Sequence, residues 1–348
     1  MIGLVFGWVL LFVTKPAEAF AGICTILGGG FTDGVRGVGI LLFTATPIIL
    51  TGLSVGFSIR TGLFNIGAAG QFTVGAFAAI WTGVYLEGLP PLLHCALAIL
   101  AGTLAGGLWG LISGLLKGKG NVSEVISGIL LNYIGMLLVN LLIRNTTFDS
   151  AQNCSVNLPR SAMLTRDFFE SILPNCRINP GFLIVIAAVV VIWALLERTT
   201  FGYELKMTGK NRFVGSYSGI KASRNIALTM AISGALAGLG GALMYLSDFN
   251  NHIIVAETVL PYGFTGISVA LLGMSDPFGI LAAGLFIAHI TIGGNYLQLY
   301  SYTPDAVDMI IAVIVYCGAL TLPIRTLLEK LNRQKTRLAA ADAEEAKA

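Results

Sequence analysis

The sequence predicts an all-α polytopic membrane protein, with about ten transmembrane helices in two inverted four-helix blocks around a central span. The first observation is composition: 55% of the 348 residues are hydrophobic and 11% are charged, whereas a soluble domain carries about 25% charged residues. The second is the length of the apolar segments. The third is the content of 43 glycines, since membrane helices use small residues where they pack closely. A soluble globular domain is therefore excluded.

Ten segments approach the roughly 20 apolar residues that cross a bilayer. The first is short or clipped at its start. The triplet Ala17-Glu18-Ala19 follows this segment like a signal-cleavage site. The apolar run lacks the positively charged n-region of a signal peptide, which disfavours a cleaved signal. The eighth is short and rich in glycine and polar residues, which predicts a broken or re-entrant helix. The segments lie near residues 2–13, 38–59, 66–86, 92–116, 124–143, 181–197, 226–247, 261–274, 278–295 and 303–323.

Cationic residues predict the orientation of these spans, because cytoplasmic loops carry an excess of lysine and arginine. Fifteen of the 21 cationic residues fall on one side of the predicted membrane and six on the other. Both termini and the 198–225 loop are therefore expected in the cytoplasm, and the 144–180 loop outside. On this topology residues 1–325 form the transmembrane domain and residues 326–348 a charged cytoplasmic tail.

The spans divide into two blocks when the first and the sixth are set aside. These blocks, 38–143 and 226–323, are separated by one crossing, so they run in opposite senses through the membrane. Many transporters consist of such inverted repeats, with the substrate path at the repeat interface. The sequence echo between the blocks, "TGLFNIG" against "YGFTGIS", is weak by itself.

Glycine ridges predict where the helices approach one another closely. In the fourth span small residues recur at every fourth position and form one groove: Ala98, Gly102, Gly106, Gly110 and Gly114. The third span has a similar ridge in which one position is an amide, Gln71, and the other members are Gly67, Gly75 and Ala79. Gln71 is therefore expected to face a tight protein interface and not lipid.

Polar residues within the spans have two interpretations. In the first they are structural: Asn65 caps the third span, while Gln71 and Asn132 form interhelical hydrogen bonds. In the second they line a substrate path, together with Thr265 and Ser268 of the glycine-rich eighth segment, since intramembrane polar groups often mark solute routes. Uncharged amides suit a neutral hydroxylated or heterocyclic solute better than an ion.

Cysteine and histidine residues give no sign of a metal centre. The five cysteines are scattered without a CxxC pair, and His94, His252 and His289 stand alone, so no zinc or iron–sulfur spacing is present. Cys154 and Cys176 of the predicted external loop either form a disulfide or remain two unpaired thiols. A metalloenzyme is therefore disfavoured.

Acidic residues discriminate between transport mechanisms. None of the 18 lies at the middle of a predicted span: Glu124 is at a cytoplasmic end, Asp276 in a turn, and Asp308 near the start of the last span. An ion-coupled carrier usually needs an ionisable or cation-binding site near the membrane midplane. The positions of the acidic residues therefore disfavour an ion-coupled carrier.

The longest cytoplasmic connection, 198–225, mixes helix formers with glycines, and Asn211 is placed to cap a short helix. Either it is an ordinary positively charged loop or it is a docking surface for a soluble partner. No Walker A motif is present, because "GLLKGKG" is one residue short and lacks the serine or threonine that holds magnesium. If ATP drives this protein, another chain binds it.

Four ordered stretches resemble the permease subunits of ABC importers in the branched-chain amino acid and simple-sugar superfamily: "GLSVGFSIRTGLFNIGAAGQ", "SEVISGILLNYI", "TTFGYELKMTGKNRFVGSYSGI" and "GFTGISVALLGMSDPFG". Within it they are most similar to BmpD-like nucleoside permeases. The resemblance implies a coupling helix within 203–220, a cytoplasmic ABC ATPase, a second homologous permease, an extracytoplasmic substrate-binding lipoprotein, and nucleosides as substrates. One departure is Ala69, where the family usually has an acidic residue.

The coupling segment has an expected contact face. Phe213 and Tyr217 are four residues apart, so they fall on one helical face as the expected anchors of the ATPase. The remaining coupling residues are two cations that tune encounter and two small or apolar residues that seat closely: Lys210, Arg212, Val214 and Gly215.

These observations predict the permease subunit of an ATP-binding cassette importer in the bacterial inner membrane, which forms the translocation path for nucleosides. A ribose-type simple-sugar permease is the nearest alternative, and an ion-coupled secondary transporter is the alternative of a different class. An enzyme is disfavoured because no nucleophile or metal constellation is present. The chain is expected to bind no cofactor and no nucleic acid, to lie in the lipid bilayer, and to rely on its partner for ATP.

Overall fold

The computed structural model describes residues 2–172, 176, 178–210 and 221–300, with scattered positions between 302 and 317. The described chain is mostly helical. Its α-helices are α1 (Ile2–Thr14), α2 (Ala19–Gly28), α3 (Gly34–Arg60), α4 (Ala68–Tyr85), α5 (Pro91–Gly120), α6 (Glu124–Thr146), α7 (Asp167–Ile172), α8 (Gly181–Arg198), α9 (Thr200–Lys210), α10 (Ala222–Tyr245), α11 (Tyr262–Leu272) and α12 (Pro277–Tyr296). Short 3-10 turns span Gly29–Phe31, Arg160–Ala162 and Leu297–Tyr300, and two short strands, β1 (Phe148–Asp149) and β2 (Cys154–Ser155), pair antiparallel.

The all-helical membrane class that the sequence predicts is confirmed. Within the described ranges, six helices are long and apolar enough to cross a membrane, namely α3, α5, α6, α8, α10 and α12. Helices also lie at the first, third and eighth predicted segments, where α1, α4 and α11 are found. Helix α2 was not predicted. Most of the last predicted span and the whole 326–348 tail lie outside the described residues.

The predicted glycine ridges pack α4, α5 and α10 together. A Cβ atom added to Gly102 would lie 2.7 Å from the carbonyl oxygen of Gly75 and 2.8 Å from the Cβ of Ala242. One added to Gly106 would lie 2.6 Å from the Cα of Gly238. These backbones approach so closely that no larger side chain fits between them without a shift of the helices, which is the packing expected of small residues in membranes.

Two compact units divide the chain, and the division falls within α2. One is Thr25–Tyr296, which holds all the polar residues discussed below. The other contains α1 and the residues that follow Tyr296. Within this second unit the hydroxyl of Tyr302 donates a hydrogen bond of 3.2 Å to the carbonyl oxygen of Lys15.

The described part of the predicted external loop makes backbone hydrogen bonds to another segment of the chain. Its residues pair with the segment that follows α10: the amide of Ser155 donates to the carbonyl of Ile253 (2.9 Å), and the amide of Leu164 donates to that of Leu246 (2.8 Å). Cys154 is a free, buried thiol, as is Cys176, so the structure has the unpaired alternative. Burial, and to a lesser extent the nearby Asp149 carboxylate, raises the pKa of the Cys154 thiol.

Candidate solute path and coupling region

A buried cluster of amides and hydroxyls joins α3, α4 and α10. The side-chain amide of Asn65 donates towards the oxygen of Gln71 (2.7 Å) and the hydroxyls of Ser54 (3.1 Å) and Ser233 (2.7 Å). In return the Gln71 amide donates to the Asn65 oxygen at 3.1 Å. The two serine hydroxyls lie 3.0 Å apart. Asn65 and Gln71 are 0% and 2% exposed, and their side-chain amides exchange two hydrogen bonds.

The serines of this cluster were missed by sequence reasoning, although α3 carries a signal for them. Hydroxyl side chains recur with helical spacing on α3, at Thr51, Ser54 and Ser58, and at its C-cap, Thr61, and all four are buried. Such spacing places them on one face of the helix. The chain then turns back, and the backbone amide of Asn65 donates a hydrogen bond of 3.1 Å to the Ser58 hydroxyl. This bond holds the Asn65 side chain close to the row of hydroxyls.

The start of α4 is capped from a different helix. The sequence suggested Asn65 as the cap, but the N-cap residue is Gly67 and no side chain of its own segment caps the helix. Instead the oxygen of Asn132, on α6, accepts a hydrogen bond of 2.7 Å from the backbone amide of Gly70. Its nitrogen donates to the carbonyl of Ile66 at 2.9 Å. Asn132 therefore clamps the turn that precedes α4, since the first amides of a helix have no internal partner.

The N-terminal turns of α4 and α11 meet. A Cβ atom added to Gly263 would overlap the backbone and the side chain of Ala69, and the rings of Phe72 and Tyr262 stack at 5.4 Å. Ala69 is fully buried. A larger acidic side chain at that position would have to displace α11, which gives a packing reason for this departure from the family pattern.

Thr265 and Ser268 follow this contact along α11. Both are half-buried, whereas Gly263 and Gly266 of the same helix are buried. The Thr265 hydroxyl donates to the carbonyl of Pro261 at 3.2 Å. The structure thus places the predicted path residues on α4, α6 and α11 and in the turn before α4, but it joins only Asn65 and Gln71 to each other by hydrogen bonds.

The chemistry of this region suits neutral groups. The Asn65 cluster contains amides and hydroxyls, which offer donors and acceptors but no net charge. Among the described residues, no group of three or more His, Cys, Asp or Glu side chains could hold a metal ion. A solute that competes for these groups would have to match hydrogen bonds and not charge.

Directly after the C-terminal end of α3, the turn at Gly62 packs against α9. Gly62 has a left-handed φ of +76°, and a Cβ atom on either Gly62 or Gly209 would overlap the backbone of the other. The Asn225 amide also ties α10 to α9, through a bond of 3.1 Å to the Thr208 hydroxyl. A cavity of about 210 Å3 lies beside this joint. Gly62 lies three residues before Asn65, so the joint and the amide cluster share one short segment.

The predicted coupling residues fall mostly beyond what the structure describes. Lys210 is the exposed last residue of α9. The others lie outside the described residues: Arg212, Phe213, Val214, Gly215 and Tyr217. Their segment starts directly after the Gly209 contact.

A polar cavity of about 460 Å3 opens between the predicted external loop and the segment after α10. Arg166 lies in its lining, 3.1 Å from a carboxylate oxygen of Asp248 and 3.8 Å from one of Glu170. Its guanidinium also lies 5.8 Å from the ring centroid of Phe249. The cavity offers donors, acceptors and both signs of charge.

Comparison with known proteins identifies a family of membrane permease components that matches most of this chain. The family model described as "Branched-chain amino acid transport system / permease component" matches residues 37–319. The guanosine ABC transporter permease protein NupP of Bacillus subtilis is 36% identical over 335 residues, which cover 96% of this chain and 95% of that protein. The nucleoside ABC transporter permease protein NupB of Lactococcus lactis is 31% identical over 347 residues, with coverage of 96% and 94%.

A glucose ABC transporter permease protein of Haloferax volcanii is also similar, at 31% identity over 292 residues, which cover 81% of this chain and 75% of that protein. The Bacillus and Lactococcus strains each have a second matching permease protein, NupQ and NupC, at 26% and 25% identity. No solved structure gives a significant match to this chain.

Proposed function

Since the chain belongs to the family of branched-chain amino acid transport system permease components, we propose that it forms the translocation path of an ABC importer for nucleosides. The observation that carries this proposal is the similarity, along nearly the whole chain, to a guanosine and a nucleoside permease protein. The uncharged amides and hydroxyls at Asn65, Gln71 and α11 agree with a neutral solute rich in hydrogen-bonding groups.

The path is proposed to run along α11, where Thr265 and Ser268 are half-buried. The contact between the first turns of α4 and α11 supports two inverted blocks, because transporter sites often form where interrupted helices of two repeats meet. Asn65 and Gln71 reach the solute when their cluster opens, and Asn132 holds the start of α4 during that change. With both termini in the bacterial cytoplasm, residues 1–325 form the ten-span domain in the inner membrane and residues 326–348 its tail.

Coupling to ATP hydrolysis is proposed to enter through the segment after α9. A cytoplasmic ABC ATPase would seat that segment in a groove, with Phe213 and Tyr217 as anchors and Gly215 at the close contact. Lys210 and Arg212 would mainly accelerate encounter. Displacement of the segment would move Gly209 against Gly62 and so reach the amide cluster through three residues of chain.

The coupling proposal has a direct test. We expect Phe213→Ala and Tyr217→Ala to lose ATPase co-purification and solute-stimulated hydrolysis, by roughly tenfold or more for each hot-spot contact, while membrane insertion stays normal. Gly215→Trp should have the same effect, because the indole would not fit a close groove. If both alanine variants keep the ATPase and its full stimulation, the segment is only a connector.

Two further partners complete the proposed importer. A second permease is expected because the Bacillus and Lactococcus relatives each come with another permease protein of the same kind. A substrate-binding lipoprotein would deliver the solute at the external face, where the cavity beside Arg166 lies. ATP would be used by the ATPase chain and not by this one.

A simple-sugar permease is the second candidate function, and the similarity to the Haloferax glucose permease protein favours it. Uptake of labelled guanosine in cells that lack the chain, and in cells complemented with it, separates the two candidates. We expect uptake only on complementation, with displacement by excess unlabelled nucleosides and none by glucose or ribose. Complementation that restores uptake of labelled glucose or ribose, with none of guanosine, would establish the second candidate in place of the first.

A further inference from the structure

A groove of about 570 Å3 lies where the end of α5 meets the start of α10. The two helices touch there: a Cβ atom added to Gly118 would lie 2.7 Å from the carbonyl oxygen of Ser223. The groove therefore lies beside a closely packed helix pair, at one end of both helices. Its lining consists of Leu115, Lys119, Lys221, Ala222, Ser223, Arg224, Ala227 and Leu228.

Charge in this groove is of one sign. Lys119, Lys221 and Arg224 are exposed, and within the described part of the chain none of them forms an ion pair. The neighbouring Lys117 differs, because it pairs with Glu124 at 2.7 Å. Three unpaired cations close together repel one another unless an anion neutralises them.

Each helix places an apolar residue one turn inward from a cation. On α5, Leu115 lies four residues before Lys119, near the C-terminal end of the helix. On α10, Leu228 lies four residues after Arg224, near the N-terminal end. Because residues four apart share a helix face, both helices present a cation at the membrane edge and a leucine deeper in the bilayer.

The apolar part of the groove continues along α5 as an exposed stripe. Large side chains recur there every three or four residues and are at least 40% exposed: Leu100, Leu104, Leu108, Ile112 and Leu115. A ligand with an anionic head and a long apolar tail matches this surface from end to end.

We propose that this groove binds an anionic phospholipid, with its phosphate at Lys119, Lys221 and Arg224 and an acyl chain along the α5 stripe. Basic pockets between membrane helices are suited to anionic headgroups. The first turn of α10 adds free backbone amides that favour a phosphate. A soluble protein is a poorer occupant, since the groove continues into an exposed apolar stripe on a helix long and apolar enough to cross a membrane. On the proposed topology the lipid belongs to the cytoplasmic leaflet.

The test uses the full chain in detergent, titrated with phosphatidylglycerol or with phosphatidylcholine of the same acyl chains, and read by native mass spectrometry. We expect the wild type to prefer phosphatidylglycerol. Arg224→Gln should weaken that binding roughly fivefold, and Lys119→Gln with Arg224→Gln roughly thirtyfold, since each cation near an anionic surface contributes a factor of about five. The matched control is Arg198→Gln, which removes an exposed cation of α8 outside the groove and should leave the affinity unchanged.

Several results would overturn the proposal. They are equal affinity of the wild type for both lipids, wild-type affinity in the double variant, or the same loss in the Arg198→Gln control. Displacement of the lipid by inorganic phosphate at equal concentration would identify a free-anion site instead. Lost ATPase co-purification with unchanged lipid affinity would identify a protein surface. If the double variant does not insert, Arg224→Gln and the wild-type lipid preference decide the question.

Discussion

Removal of the Asn65 amide tests whether the buried cluster holds the bundle together or only lines the path. The side chain makes two reciprocal bonds with Gln71, and its remaining amide hydrogen can reach Ser54 or Ser233. Asn65→Ala therefore removes three bonds. Side-chain hydrogen bonds in membrane proteins contribute about 0.6 kcal/mol on average and up to about 1.7 kcal/mol, so we expect a loss of about 2 to 5 kcal/mol.

The two bonds shared with Gln71 make the variants non-additive. Gln71→Ala breaks those two bonds alone, which corresponds to about 1 to 3 kcal/mol. In the double variant the same two bonds are lost only once, so its cost should fall short of the sum by about that amount.

Reversible unfolding of the purified chain in mixed micelles, with a double-mutant cycle, measures these differences. Asn145→Ala is the matched control, since Asn145 is exposed and its amide donates only to Leu141 of its own helix. Additive costs would contradict the two shared bonds. Asn65→Ala and Gln71→Ala variants that are as stable as the wild type but defective in transport would refute the structural role and leave solute contact as the explanation.

Three further predictions follow from the fold. In a cysteine-free background, cysteine at Lys210 should be labelled from the cytoplasm and cysteine at Arg160 from outside, and labelling on the reverse sides would contradict the topology. Gly209→Ala should lower solute-stimulated ATP hydrolysis about fivefold or more, whereas Gly120→Ala, whose added Cβ meets its nearest atom at 3.5 Å, should not; equal effects would show that the joint has no coupling role. In the native chain Cys154 should react slowly with maleimide at neutral pH, because its raised pKa lowers the thiolate fraction. The labelling rate should rise only at pH values above the ordinary pKa of a cysteine thiol. Fast labelling at pH 7 would contradict the burial of this thiol.

The helices and their tight contacts could be predicted because their signals are local. Apolar length defines α3, α5 and α10, and a four-residue repeat of small side chains defines the surface on which α5 meets α4 and α10. The eighth segment, with its glycines and hydroxyls, was expected to be interrupted, and α11 is only 11 residues long. In each case the residues that decide the structure lie within about one helix of one another.

The partners of the amides could not be predicted, because those partners are remote in sequence. Ser233 is 168 residues from Asn65, and Asn132 caps a helix whose first turn lies 62 residues before it. An amide next to a helix start has a local option, which was the cap proposed for Asn65. Tertiary packing gave that role to Asn132 and turned Asn65 towards the α3 hydroxyls, whose regular spacing was the one local sign of this arrangement.

ATP-driven uptake by the reconstituted complex tests the central claim most directly. Proteoliposomes would contain this chain, its paired permease, the ATPase and the binding lipoprotein, with labelled guanosine on the lipoprotein side and ATP on the ATPase side. The account predicts accumulation that requires hydrolysable ATP, persists without an ion gradient, and is suppressed by unlabelled nucleosides but not by glucose. Accumulation driven by a proton or sodium gradient without ATP, or ATP-driven uptake of glucose with none of guanosine, would contradict it.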